Sequence, residues 1–312
     1  MTEPSYLELY RNKDLEKRLE KLLALMASCE LCPRRCKARR LEGNDGVCRT
    51  GTRARVASYN PHFGEEAPLV GRSGSGTIFM SSCNLLCSFC QNFEISHQNK
   101  GIEVKGEQLG RMMLQLADKG CHNINIVTPT HVIPQLLEGL VYAIDKGLHI
   151  PLVYNSGGYD SVETLKLLDG VFDIYMPDFK FWDGNISGVH CHGAEDYPEV
   201  AKNAIREMHR QVGDLTMDND GVAMRGLLVR HLVMPGGLAG TAQVMRFLAK
   251  EISPHTYVNV MNQYHPCGRA LDDPSIHRGL TSEEYGEAVD AAKRAGLTRL
   301  DGGSRIRLVF GL

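Results

Sequence analysis

Apolar positions along this chain change their period once, and the change separates an N-terminal stretch from the rest. Over 6–27, Leu7, Leu15, Leu19, Leu22, Leu23 and Met26 recur at helical spacing with Arg, Lys and Glu between them. This is the pattern of an amphipathic helix packed on a domain rather than held out for a partner. From Ile78 onward, short apolar runs alternate with helical patterns, as repeated βα units require. Strands are expected over 76–81, 123–127, 152–154, 172–176, 227–233 and 257–261, with 306–310 a further candidate. Helices are expected over 108–119, 132–146, 161–168, 199–211, 240–250 and 282–295. Six such units predict an α/β fold on a parallel sheet. The glycine-bearing stretches 183–197 and 213–224 read as loops, either gates for a substrate or ordinary surface connections. No internal repeat stands out beyond the βα period.

Composition narrows the picture. The 312 residues hold 35 basic and 37 acidic side chains, net −2, with no long charge run. Nothing therefore points to nucleic acid or to a membrane surface as partner. The most basic stretch, Arg34-Arg35 to Arg39-Arg40, is interleaved with cysteines and reads as the solvated face of a metal knuckle. No apolar segment approaches the ~20 residues of a spanning helix. The start, Met1-Thr2-Glu3-Pro4, has neither a basic n-region nor an apolar h-region, so no secretory signal is expected. Ten cysteines without such a signal favour metal ligation in a reducing cytoplasm over disulfides.

Those cysteines fall into two constellations. Cys83, Cys87 and Cys90 have the spacing CxxxCxxC directly after the apolar run Gly76-Thr77-Ile78-Phe79-Met80. Three thiolates on one loop can ligate three irons of a [4Fe–4S] cluster and leave the fourth open to a small molecule. They can also bind zinc. Cys29, Cys32, Cys36 and Cys48, with Gly43-Asn44-Asp45-Gly46 between the last two, form the second set. Four thiols permit a structural Zn²⁺, a rubredoxin-like iron or an auxiliary iron–sulfur cluster, and spacing does not choose among them. The expected division is a helix with a four-cysteine module over 1–55 and the α/β domain over 56–312. Cys121 reads as core, while Cys191 and Cys267 read as loop thiols or small hydrophobes.

The motif CxxxCxxC, the aromatic Phe89 before its third cysteine and Gln91-Asn92 after it resemble the radical S-adenosylmethionine superfamily. The likeness is to the branch of the pyruvate formate-lyase activating enzyme. It implies a partial (β/α)6 parallel barrel whose open side could admit a large substrate. It also implies a [4Fe–4S] cluster on Cys83, Cys87 and Cys90, and S-adenosylmethionine chelated to the open iron. The cofactor would be cleaved reductively to a 5′-deoxyadenosyl radical that abstracts hydrogen. The expected reductant is a flavodoxin or ferredoxin. The expected target is a glycyl-radical enzyme or another protein, peptide or metabolite. A catalytically silent electron-transfer or scaffold protein is the reading from a different class.

The same resemblance assigns strand ends to the cofactor. In Thr128-Pro129-Thr130-His131 the chain departs from the Gly-Gly-Glu of many activating enzymes. Thr128 and Thr130 offer hydroxyls and carbonyls but no carboxylate, and the same residues suit a helix N-cap. Asn155 and Ser156, ahead of Gly157 and Gly158, resemble the family's Asp/Asn-Thr-Asn-Gly segment. Asp178 and Lys180 match an Asp-x-Lys pair and alternate onto one face. Lys180 is then a partner for the cofactor carboxylate, and an ordinary surface ion pair is the competing reading. Arg230 would pair with Asp178 or that carboxylate, and His265 corresponds to a Tyr-His pair near the cofactor, where its imidazole could donate to a ribose hydroxyl or the carboxylate. Phe89 and Asn92 complete the expected cofactor contacts.

Overall fold

The computed structural model describes residues 3–302, so the expected strand at 306–310 lies outside the described residues. In chain order the strands are β1 Ala54–His62, β2 Ser75–Met80, β3 Ile102–Val104, β4 Ile124–Val127, β5 Leu152–Ser156, β6 Ile174–Pro177, β7 Thr216–Met217, β8 Ala223–Leu232, β9 Tyr257–Met261 and β10 Arg299–Leu300. The helices are α1 Tyr6–Arg11, α2 Asp14–Ala24, α3 Ala67–Val70, α4 Phe93–Ser96, α5 Gly106–Asp118, α6 Ile133–Asp145, α7 Val162–Leu167, α8 Gly184–His190, α9 Tyr197–Val212, α10 Thr241–Phe247 and α11 Ser282–Ala295.

All six expected strands form and run parallel in the order β2-β4-β5-β6-β8-β9, with β10 continuing the parallel set. Among the described residues the sheet does not close. Antiparallel β1 lies on β2 and carries β3 outside it, while β10 forms the opposite edge. The fold is thus an α/β partial parallel barrel. Its strands are buried on both faces, which is why they read as continuous apolar runs. Tyr154, Tyr175, Leu227 and Val229 face the helical layer. Val153, Ile174, Met176 and Leu228 face inward, where Leu69 from the β1–β2 connection packs among them.

Three expectations needed correction. The single N-terminal helix is two, because Lys13 sits at φ 62 and the Asn12 side chain accepts the Asp14 N–H at 3.0 Å, starting a new helix. Its apolar stripe does pack on the domain, with Leu15, Leu22 and Met26 buried. The stretch 183–197 is not a plain loop: α8 forms there, capped by the Asp183 carboxylate accepting the Asn185 and Ile186 N–H groups. In 213–224 a short strand, β7, pairs with β8.

Candidate functional site

The CxxxCxxC loop leaves the C-terminal end of β2, the end at which parallel α/β sheets gather their chemistry. Ser82 at φ 71 and Leu86 at φ 53 turn the chain on either side of Cys83. The Asn84 amide donates to the Tyr159 carbonyl at 2.8 Å and ties the loop to the end of β5. Phe89 points into the protein, ring to ring with Phe181, His190 and Tyr264, and anchors the loop there. Asn92 is exposed and directly precedes α4, where its carbonyl accepts from Ser96. His265 is exposed too, and it meets the loop through Gln91, whose amide donates to the Gln263 carbonyl at 3.0 Å.

The three thiols are built to carry charge only with help. Burial pushes the Cys83 thiol up to about 12 and raises Cys90 as well. Cys87 is raised first by its contact with Cys191, whose Sγ lies 3.6 Å away, and then by burial. Yet polar hydrogens are aimed at the sulfurs. The Leu85 N–H donates to Cys83 Sγ at 3.3 Å and the Ser96 hydroxyl to Cys90 Sγ at 3.2 Å. Such donors stabilise metal-bound thiolate. Among the described residues no three His, Cys, Asp or Glu side chains close on one point as a single-ion site. The donor set, one buried and two part-buried thiols of which two accept hydrogen bonds at sulfur, fits a centre that takes one sulfur per metal.

Beside the loop lies a buried charge network. Asp178 accepts from Arg230 Nε at 2.8 Å and from Lys180 Nζ at 2.5 Å, while Arg230 Nη2 donates to Asn155 Oδ1 at 2.6 Å. Burial alone would raise the Asp178 carboxyl, but Arg230 and Lys180 hold it below its ordinary value. The pairing expected of Asp178 and Arg230 is therefore present, and it is internal rather than on the surface. Lys180 stays firmly cationic because Asp178 outweighs its burial, and Cys87 lies close enough to add to the effect. Gly158 makes this packing feasible: at φ 78, a Cβ there would stand 2.1 Å from the Asp178 carbonyl oxygen.

Thr130 and Ser156 belong elsewhere. Both hydroxyls donate to Asp160 at 2.6 Å, joined by the Tyr154 hydroxyl at 2.8 Å, on the face turned from the barrel interior. For Ser156 strand alternation explains this, since Asn155 faces inward and its neighbours outward. Sequence reasoning missed Asp160, although it stands two residues beyond the glycines that drew attention. Thr128 holds φ 63, a strained conformation for a β-branched residue, while its N–H donates to the Asn155 carbonyl at 2.8 Å.

The four N-terminal cysteines line one small cavity of about 10 Å³ together with Arg34, Arg40, Asn84 and His131. Gly46 leaves room for Cys36, whose Sγ would be 2.4 Å from any Cβ added there. Burial pushes Cys32 up to about 12. The basic stretch is not a solvated face throughout: Arg35 and Arg39 are exposed, but Arg40 is 0% exposed. Arg40 donates to the carbonyls of His131 and Gly51 at 2.9 Å, and its Nη1 is 3.9 Å from Cys29 Sγ. Among the described residues no carboxylate pairs with it. A buried guanidinium requires a compensating anion, and thiolates are the nearby groups able to supply one. Arg34 reaches the other way, donating to the carbonyls of Asn84 at 2.9 Å and Cys191 at 2.9 Å.

No family model matches the chain. It belongs to the same family as the uncharacterized protein MJ0674 of Methanocaldococcus jannaschii, with 32% identity over 301 residues, 93% of this chain and 82% of that one. Among solved structures, the outline is similar to SuiB of Streptococcus suis, at TM-score 0.46 and 11% identity over 71% of this chain and 46% of that one. It is similar to anSMEcpe with bound AdoMet, at TM-score 0.45 and 12% identity over 70% and 61%. HydG, a maturase of the [FeFe]-hydrogenase, gives TM-score 0.47 and 16% identity over 72% and 50%. The chain spans less than two thirds of the length of each of these three structures.

Proposed function

We propose that this protein is a radical S-adenosylmethionine enzyme in which Cys83, Cys87 and Cys90 hold a [4Fe–4S] cluster. The observation that carries the reading is the juxtaposition at one barrel end. Buried Cys87 and part-buried Cys83 and Cys90, the latter two accepting hydrogen bonds at sulfur, stand beside an ion network that keeps Lys180 and Arg230 charged. The bound cluster and cofactor supply one-electron cleavage of the sulfonium and, from it, hydrogen-atom abstraction.

The chain's own residues do the rest. Leu85 N–H and the Ser96 hydroxyl stabilise the thiolates, Lys180 receives the cofactor carboxylate, and Asp178 fixes Lys180 and Arg230 in place. Asp160 braces Thr130 and Ser156 so that the ends of β4 and β5 hold their shape around the site. The finer assignment is activation of a glycyl-radical enzyme, with flavodoxin or ferredoxin as reductant, in the cytoplasm. It rests on the cysteine motif and its flanking residues. The module of residues 1–55 carries a second, thiolate-bound metal centre, which Arg40 neutralises in part.

Reductant-dependent release of 5′-deoxyadenosine from S-adenosylmethionine by the anaerobically reconstituted protein is the expected result. An iron-loaded protein that releases none overturns the reading in favour of a silent electron-transfer or scaffold role. A glycyl-radical electron paramagnetic resonance signal on an added partner would select activation over other modifications.

A further inference from the structure

We propose that the barrel interior carries a receptor for a primary ammonium group, with Glu66 as its anion. The connection from β1 to β2 folds back into the barrel. Leu69 plugs the interior among Val153, Ile174, Met176 and Leu228, and Glu65 and Glu66 precede it, 8% and 5% exposed. The acidic groups there are unequally served. Glu65 stands 3.2 Å from His62, and Asp178 takes both Arg230 and Lys180. Glu66 has the Asn259 amide at 3.0 Å and only a 4.0 Å approach from Arg230, whose Nε is already spent on Asp178.

The other oxygen, Glu66 Oε2, is buried and has no partner among the described residues. A buried carboxylate oxygen left unmet is costly, so the site is incomplete as it stands. Glu65 and Glu66 line a cavity of about 360 Å³ bounded also by Arg230, Asn259, Met261 and Tyr285. That is the size of a small-molecule site. An anionic ligand is disfavoured, because Arg230 Nε and Nη2 are engaged by Asp178 and Asn155 and its Nη1 faces Glu65 at 4.0 Å. A cation fits the remaining charge. The ammonium of the cofactor's methionyl end and that of an amine-bearing substrate share this chemistry. The proposal does not rest on cofactor cleavage.

The test is therefore binding. The thermal unfolding midpoint of the full chain, as isolated and after anaerobic reconstitution, is titrated with n-butylamine, n-butanol and butyrate. The amine alone should raise the midpoint, saturably. In Glu66→Gln the half-saturating amine concentration should rise at least tenfold, and Glu66→Asp should keep the preference for amine with the fold intact. Equal response to butanol, preference for butyrate, no response to amine, or amine binding unchanged in Glu66→Gln overturns the proposal. Displacement of the amine by S-adenosylhomocysteine assigns the receptor to the cofactor's amine, and its absence assigns it to the substrate's. Amine binding in a protein that fails to cleave S-adenosylmethionine counts against the enzyme reading alone.

Discussion

The two cysteine constellations are neighbours that solve opposite problems. The N-terminal four surround a space of about 10 Å³ sealed by Arg40 and His131. The CxxxCxxC three sit at a strand end beside a polar barrel interior. Closed thiolate sites are structural and sites with an open position do chemistry. Both are wound from the same local device. Of the nine non-glycine residues with positive φ among the described residues, five adjoin a cysteine of one set or the other: Arg35, Lys37, Arg49, Ser82 and Leu86. Such conformations persist only where the surroundings over-determine them, as the metals proposed above would do. Asn84 belongs to both sites, being inside the CxxxCxxC loop and on the wall of the module's cavity. The module therefore buttresses the CxxxCxxC loop rather than hanging from it as a separate bead.

The largest expected contrast is chemical. Cys87→Ala should abolish 5′-deoxyadenosine release, by at least about a thousandfold, and should lose cluster iron while the module keeps its metal. Cys32→Ala should lose the module's metal and leave measurable cleavage in whatever fraction still folds. Metal and sulfide analysis beside a turnover assay checks both, and equal loss of turnover in the two variants would end the division of labour. Next comes Arg40→Met, which leaves a thiolate centre and two carbonyl groups without their cation. A loss of about 3–5 kcal/mol in anaerobic urea unfolding is expected, with cleavage per folded molecule nearly unchanged. A loss under about 1 kcal/mol would show that the buried guanidinium balances no thiolate charge.

How far the sequence went follows the same division. The parallel strands were legible because burial on both faces makes their apolar runs continuous, and the thiols were legible because ligand spacing is local. That Asp178 and Lys180 share a face was legible from strand alternation, and Asp178 was one of the two partners expected for Arg230. The antiparallel strands β1 and β3 were not, since polar residues such as Arg55, Ser58, Asn60 and Glu103 break any apolar run. Without β1 there was no reason to send Glu65 and Glu66 into the barrel. Arg40 looked like one more surface cation, because its partners are carbonyls and a thiol that no spacing rule links to it. Thr130 and Ser156 were sent to the wrong face for want of Asp160, whose three hydroxyl donors come from two separate segments.

Smaller effects sharpen the open site. Asp178→Asn keeps the shape but removes the anion that orients Lys180 and Arg230. The KM for S-adenosylmethionine should rise about 10–100-fold, the usual range for a group that orients ligands, with the fold retained. An unchanged KM would remove Lys180 from the cofactor site. In acid, two buried histidines set the response. His131 donates from Nε2 to the Ser81 carbonyl at 2.8 Å, and His231 lies 2.6 Å from the Phe179 carbonyl and 2.8 Å from Thr241. Burial lowers both to about 4. Each is neutral when folded, so the unfolded chain takes up the proton first. Stability is full above the ordinary histidine value and falls as pH drops from about 6.5 towards 4. Each should cost about 2 kcal/mol between pH 7 and pH 5, read by denaturant unfolding at the two values. His231→Gln should flatten half of that slope.

The smallest effect tests the strain itself. Thr128 holds φ 63 at the end of β4, where a β-branched residue gives up about 1–2 kcal/mol. Thr128→Gly removes that penalty but frees the unfolded chain by about 0.5–1 kcal/mol. A net gain of up to about 1 kcal/mol is expected, a rise of roughly 1–3 °C in the unfolding midpoint. Lys37→Gly in the module, at φ 56, should gain less, because lysine is unbranched at Cβ and loses less in this conformation. If Thr128→Gly instead loses more than about 1 kcal/mol, the threonine is held by contacts that the turn needs. Strain would then mark the thiols of both constellations but not the strand end between them.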